Sequence, residues 1–71
     1  MMPLIMATHG APVTVKEIHG KDETRHFLGK LGFVPGTKIT IVHEASGNLI
    51  VNVKDARVAI SKSMASKIFV S

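Results

Sequence analysis

Short stretches of alternating hydrophobic and polar residues recur along this chain, and clusters of turn-forming residues separate them. Val13-Thr14-Val15-Lys16 alternates with period two, as a half-buried strand does, and Ile18 breaks the parity. A bulge or the strand's end near Glu17 accounts for that break, with His19-Gly20 marking the exit. Lys38 to His43 is β-branched and alternating, Leu49 to Val53 is another strand, and Ala45-Ser46-Gly47-Asn48 joins them as a hairpin. Lys54-Asp55 makes a second tight turn into Arg57 to Ile60, and Ile68-Phe69-Val70 ends the chain as a strand. The apolar segment Met2 to Met6 contains Pro3 and fits either an initial strand or a short helical turn over one end of the core.

Between the first and second of these strands the period changes. Phe27, Leu28 and Leu31 recur at helical spacing, Asp22 suits the N-cap, and Glu23 suits the positive first turn. The helix has two to three turns and stops at Leu31, because Gly32 can take the left-handed conformation while Phe33 folds back onto Leu28. Val34-Pro35-Gly36-Thr37 then fits a type II turn. Ser61 caps a second, short helix over Lys62 to Ser66, with Met64 and Ala65 facing inward. Phe27, Phe33 and Phe69 read as core. About five short strands expose too many edges as a flat sheet, so the expected fold is mainly β, a small barrel with one two- to three-turn helix and one short helix.

Composition narrows this to one unit spanning residues 1–71. A chain of 71 residues with 45% hydrophobic and 20% charged content is too apolar to stay disordered and too short for two cores with a cleft between them. There is no cysteine, which removes thiolate metal sites and thiol nucleophiles and agrees with a reducing compartment. The longest purely apolar runs fall far below the ~20 residues of a membrane span, and Met1-Met2-Pro3 lacks a basic n-region, so cytoplasmic placement without membrane insertion is expected. The net charge is +4. The nine basic residues are spread almost evenly, however, so no arm or tail for nucleic acid is expected.

Candidate chemistry is sparse. The histidines, His9, His19, His26 and His43, match no metal-ligand spacing. Asp22 and His26 share a helix face at i, i+4, and with Glu23 they are the best seeds for a metal; capping by Asp22 and a solvated His26 are the expected roles, so neither metal nor cofactor is expected. Gly29-Lys30-Leu31-Gly32 has the form of a backbone-clamping GxxG loop, yet Leu31 completes the helix's apolar face and a Pro-Gly turn follows. No serine sits in a nucleophile elbow, and each acid has a cap, turn or surface role. With Trp and Tyr absent, neither a polyproline groove nor a base-stacking platform is available. The chain does not read as an enzyme.

At Phe27-Leu28-x-x-Leu31-Gly32-Phe33-Val34-Pro35-Gly36 the sequence resembles the FeoA family, small cytosolic components of bacterial ferrous iron uptake. The resemblance extends through Val13-x-Val15-x-x-Ile18-x-Gly20 before this run and through Ile39-x-Ile41, Val51-x-Val53, Arg57-Val58-Ala59-Ile60 and Ala65-x-x-Ile68-x-Val70 after it. Phe27 stands where the family often has arginine, and Asp55 where a turn glycine is common, a position aspartate tolerates. The resemblance implies an SH3-like barrel that regulates the FeoB permease by contact with its cytosolic part. It thereby implies recruitment to the inner face of the membrane, with weak self-association a further expectation. The expected contact surface is an exposed sheet edge or the apolar surface near the turn at Phe33, Val34 and Pro35. Two alternatives are a regulatory domain related to the C-terminal part of iron-dependent repressors and an iron-binding chaperone built on Asp22, Glu23 and His26.

Overall fold

A computed structural model describes residues 1–71. The elements run β1 (Met2–Pro3), a 3-10 turn (Leu4–Met6), β2 (Val13–Ile18), α1 (Asp22–Lys30), β3 (Lys38–Ala45), β4 (Asn48–Val53), β5 (Ala56–Ser61), α2 (Lys62–Ala65) and β6 (Ile68–Val70). The strands form one antiparallel sheet in the order β1-β6-β2-β3-β4-β5. The fold is thus mainly β, as the alternation predicts. The N-terminal segment, left open between strand and helical turn, uses both.

β2 is the corner of the sheet. Its first residues pair with β3, at Val13↔Ile39 and Thr14↔Lys38, and its later ones pair with β6. The register shifts between Val15 and Glu17, so Lys16 is the extra residue of a bulge, and this is the parity break seen at Ile18. A second bulge falls at Val42, between the pairs Ile41↔Val51 and His43↔Ile50. Beyond it, His43 and Glu44 are exposed although Ile39 and Ile41 are buried.

β6 reaches the first strand, pairing with both β1 and β2, but β1 and β5 are not paired with each other. The curled sheet is therefore an open ladder of six strands, not a closed barrel of five. β1 is only two residues long and contains Pro3, which has no N–H to donate. Helical pieces cover the gap instead: the 3-10 turn lies against α2 and β6, α2 lies against β4 and β5, and Leu4 and Ala65 are fully buried. Fourteen residues form one apolar cluster, with Val15, Ile39, Ile41, Leu49, Val51, Val53, Ile60, Ile68 and Val70 supplied by strands and Leu28 by α1. No polar or charged side chain is buried.

Four local expectations are corrected. Lys21, not Asp22, is the N-cap of α1, and no side chain accepts a capping hydrogen bond there; Asp22 is the first helical residue. Phe27 is 48% exposed, because the core takes Leu28 and the neighbouring position lies about 100° around the helix. Phe69 is only half-buried and lies against the His19 ring, with centroids 4.2 Å apart. At the second hairpin, the positive φ of 57° belongs to Lys54 and not to Asp55.

Candidate functional site

The expected contact turn follows from how α1 ends. Leu31 is the C-cap; the Gly32 N–H donates to the Gly29 carbonyl at 3.0 Å and the Phe33 N–H to the Leu28 carbonyl at 3.0 Å, the double bond pattern of a Schellman motif. Gly32 holds φ at 105°, and a Cβ there would sit 2.7 Å from Val53 Cγ1, so both conformation and space demand glycine. The chain is thereby turned inward, and Phe33 is buried at 1% exposure.

Val34 to Thr37 closes as predicted. The Thr37 N–H donates to the Val34 carbonyl at 3.1 Å, and Gly36 carries φ of 95°. Two further bonds fasten this turn to β2: the Gly36 N–H donates to the Val15 carbonyl at 2.8 Å, and the Val15 N–H donates to the Thr37 carbonyl at 2.9 Å. Phe33, Val34 and Pro35 are therefore held on the scaffold by backbone bonds at both ends.

This fastening sets the turn beside the last residue of β2 and one flank of α1. Ile18, Arg25, Gly29, Phe33, Val34 and Pro35 together line a surface depression of about 210 Å³. Arg25 and Gly29 are four apart and share a helix face, whereas Phe27 lies on the other side of Leu28 and takes no part. Ile18, Arg25 and Gly29 carry no sequence signal for this site, since only the path of β2 past α1 gathers them. Val34 is 40% exposed at the rim. The Arg25 guanidinium lies 3.6 Å from the Asp22 carboxylate, whose side chain is fully exposed.

The other sequence candidates are placed differently. No three histidine or carboxylate side chains gather closely enough to hold a metal ion. Asp22, Glu23 and His26 are all exposed on α1, and Asp22 turns toward Arg25. His19 instead bonds Glu17 at 2.8 Å through Nε2 and covers Phe69. Glu44 pairs with Lys62 at 2.8 Å, tying the end of β3 to α2. Arg57 Nε donates to Asn52 Oδ1 at 3.1 Å across β4 and β5. No helix is long and apolar enough to cross a membrane.

Comparison with known proteins places this geometry. The family model described as FeoA domain matches residues 2–71. The chain is 31% identical over 70 residues to a Methanocaldococcus jannaschii protein named "Putative Fe(2+) transport protein A", covering 99% of this chain and 85% of that one. Among solved structures, it is similar to a crystal structure described as iron uptake regulatory protein (FeoA), with a TM-score of 0.89, 31% identity and coverage of 99% and 93% of the two chains. It is also similar to Stenotrophomonas maltophilia FeoA complexed with zinc, described as an SH3 domain protein, with a TM-score of 0.86, 26% identity and coverage of 100% and 91%. The crystal structure of T. acidophilum IdeR shares the fold alone, with a TM-score of 0.86 and 22% identity over 99% of this chain and 33% of that one. Shared fold and shared sequence thus run together from Met2 to the last residue, and the chain belongs to the FeoA family, which is tied to ferrous iron transport.

Proposed function

We propose that this protein is a small accessory and regulatory component of ferrous iron uptake that works by contact with the cytosolic part of the FeoB permease, and not by catalysis. Contact would draw it to the inner face of the membrane and bias the partner's conformation or nucleotide cycle. The observation that carries the reading is the Phe33-Val34-Pro35 turn, pinned to β2 and α1 and lining a depression whose rim exposes Val34. Such a surface offers apolar area in a fixed shape, so little ordering cost is left for binding. The side-chain hydrogen bonds serve surface pairs, a cap and a turn, and none aligns a nucleophile with a base.

The test is a titration of the labelled protein with the purified cytosolic part of the permease, following amide shifts. Shifts gathered around Ile18, Gly29, Phe33 and Val34 are expected. Shifts scattered over the surface, or none, would defeat the reading. The likeness to IdeR favours a second reading, a regulatory domain that serves a DNA-binding partner. Its own helices, of nine and four residues, include no helix-turn-helix pair, so pull-down of a DNA-binding protein from cells in place of the permease would favour that reading.

Direct iron binding at Asp22, Glu23 and His26 is not expected, since a site needs at least three converging ligands. Anaerobic calorimetry with ferrous iron should show no heat above dilution. Saturable heat that disappears in His26→Ala would establish the chaperone alternative.

A further inference from the structure

Gly29 is a glycine that nothing inside the molecule requires. It lies within α1 without a positive φ, and a Cβ built there meets no atom within 4 Å. Glycine inside a helix costs about 1 kcal/mol relative to alanine. Gly32, three residues later, has both a φ of 105° and the contact with Val53 to explain it. What the missing methyl does at Gly29 is keep the helix-side wall of the depression low, so that a group from outside can approach the helix backbone.

We propose that this depression is a socket for one apolar side chain on a segment of a partner protein, with Arg25 taking a carboxylate from the adjoining residue. The inference rests on the adaptor reading for its physiological partner and adds the chemistry that the partner must present. Size supports a side chain as occupant: about 210 Å³ falls below the ~300–1,000 Å³ of pockets that enclose a cofactor or drug-sized molecule. Ile18, Phe33, Val34 and Pro35 make the walls apolar. Charge selects the flanking residue. Arg25 is the one charged group in the lining, and its 3.6 Å approach to the fully exposed Asp22 is too long for a hydrogen bond. A second carboxylate can therefore meet the guanidinium side by side, the geometry at which arginine is better than lysine.

The experiment titrates the labelled full chain with three acetylated, amidated tetrapeptides: Gly-Leu-Asp-Gly, Gly-Leu-Asn-Gly and Gly-Ser-Asp-Gly. The first should saturate with a Kd of roughly millimolar order and shift the amides of Ile18, Arg25, Gly29, Phe33 and Val34. The asparagine peptide should bind about threefold more weakly, as the loss of an exposed ion pair implies, and Arg25→Gln should abolish that preference. The serine peptide should leave these amides unmoved. Gly29→Ala should weaken the leucine-aspartate peptide by about tenfold, because the added methyl crowds the socket. The same variant should melt at a higher temperature, since alanine is the better helix former. Unchanged binding by Gly29→Ala, or equal shifts with the serine peptide, would overturn the socket.

A parallel titration with the permease's cytosolic part separates this inference from the reading beneath it. Permease binding at these amides that Gly29→Ala leaves intact defeats the socket and keeps the adaptor. Peptide binding as described, with no shifts from the permease, keeps the socket and defeats the adaptor.

Discussion

Gly32 and Gly29 occupy one turn of α1 and its exit, yet they answer to different constraints. At Gly32 any side chain must both accept φ of 105° and displace Val53 Cγ1, which would lie 2.7 Å away. Gly32→Ala combines backbone strain with overpacking and should cost about 3 kcal/mol. A urea titration checks this; in a domain of this size the thermal midpoint should fall by more than about 10 °C. A cost below about 1 kcal/mol would show that the chain end of α1 repositions easily and that the contact turn is not held as described. The Gly29→Ala variant is the matched control, since it adds the same methyl to the same helix with room to receive it.

At the scale of elements, α1 and α2 differ in how their first turns are satisfied. Ser61 Oγ accepts the Met64 N–H at 3.1 Å, so α2 has the side-chain cap that its sequence announces. α1 has none, because Lys21 occupies the position and Asp22 falls one residue too late. Lys21→Ser should therefore stabilise the protein by about 0.5–1 kcal/mol, and Ser61→Ala should destabilise it by about 1 kcal/mol, both read from urea midpoints at constant slope. The comparison also shows what was legible in the sequence. Signals confined to a few residues were readable: alternation in β2 and β3, the apolar runs of β4 to β6, the bulge before Ile18, the glycine exit from α1, the Pro-Gly turn and the Ser61 cap. Features that depend on a distant partner were not. Phe27 is apolar and helical in spacing, but the curvature of the sheet brings only the Leu28 side of α1 onto the core, and this leaves Phe27 in solvent. For the same reason the turn conformation after Phe33 could be read locally, whereas the approach of Ile18, Arg25 and Gly29 to it could not.

For the whole molecule the decisive quantity is how little stability is available to spend on function. A chain of 71 residues has about 4–11 kcal/mol in all, with no disulfide to add to it. Phe33 belongs both to the core, at 1% exposure, and to the lining of the depression. Phe33→Ala should remove about 3–5 kcal/mol, a large part of that total, and populate unfolded chains at 37 °C. Loss of partner contact in that variant would carry no information about the surface. Phe33→Leu keeps most of the buried volume and should retain a dispersed amide spectrum. Val34, at 40% exposure, carries the opposite balance: its removal uncovers little core but alters the rim of the proposed contact surface. Val34→Asp should therefore leave the unfolding free energy, read from a urea titration, within about 0.5 kcal/mol of the parent. It should also weaken binding to the permease's cytosolic part by about tenfold, because a buried carboxylate would then face apolar walls. A variant that folds as the parent does and binds equally well would place the contact surface elsewhere on the sheet.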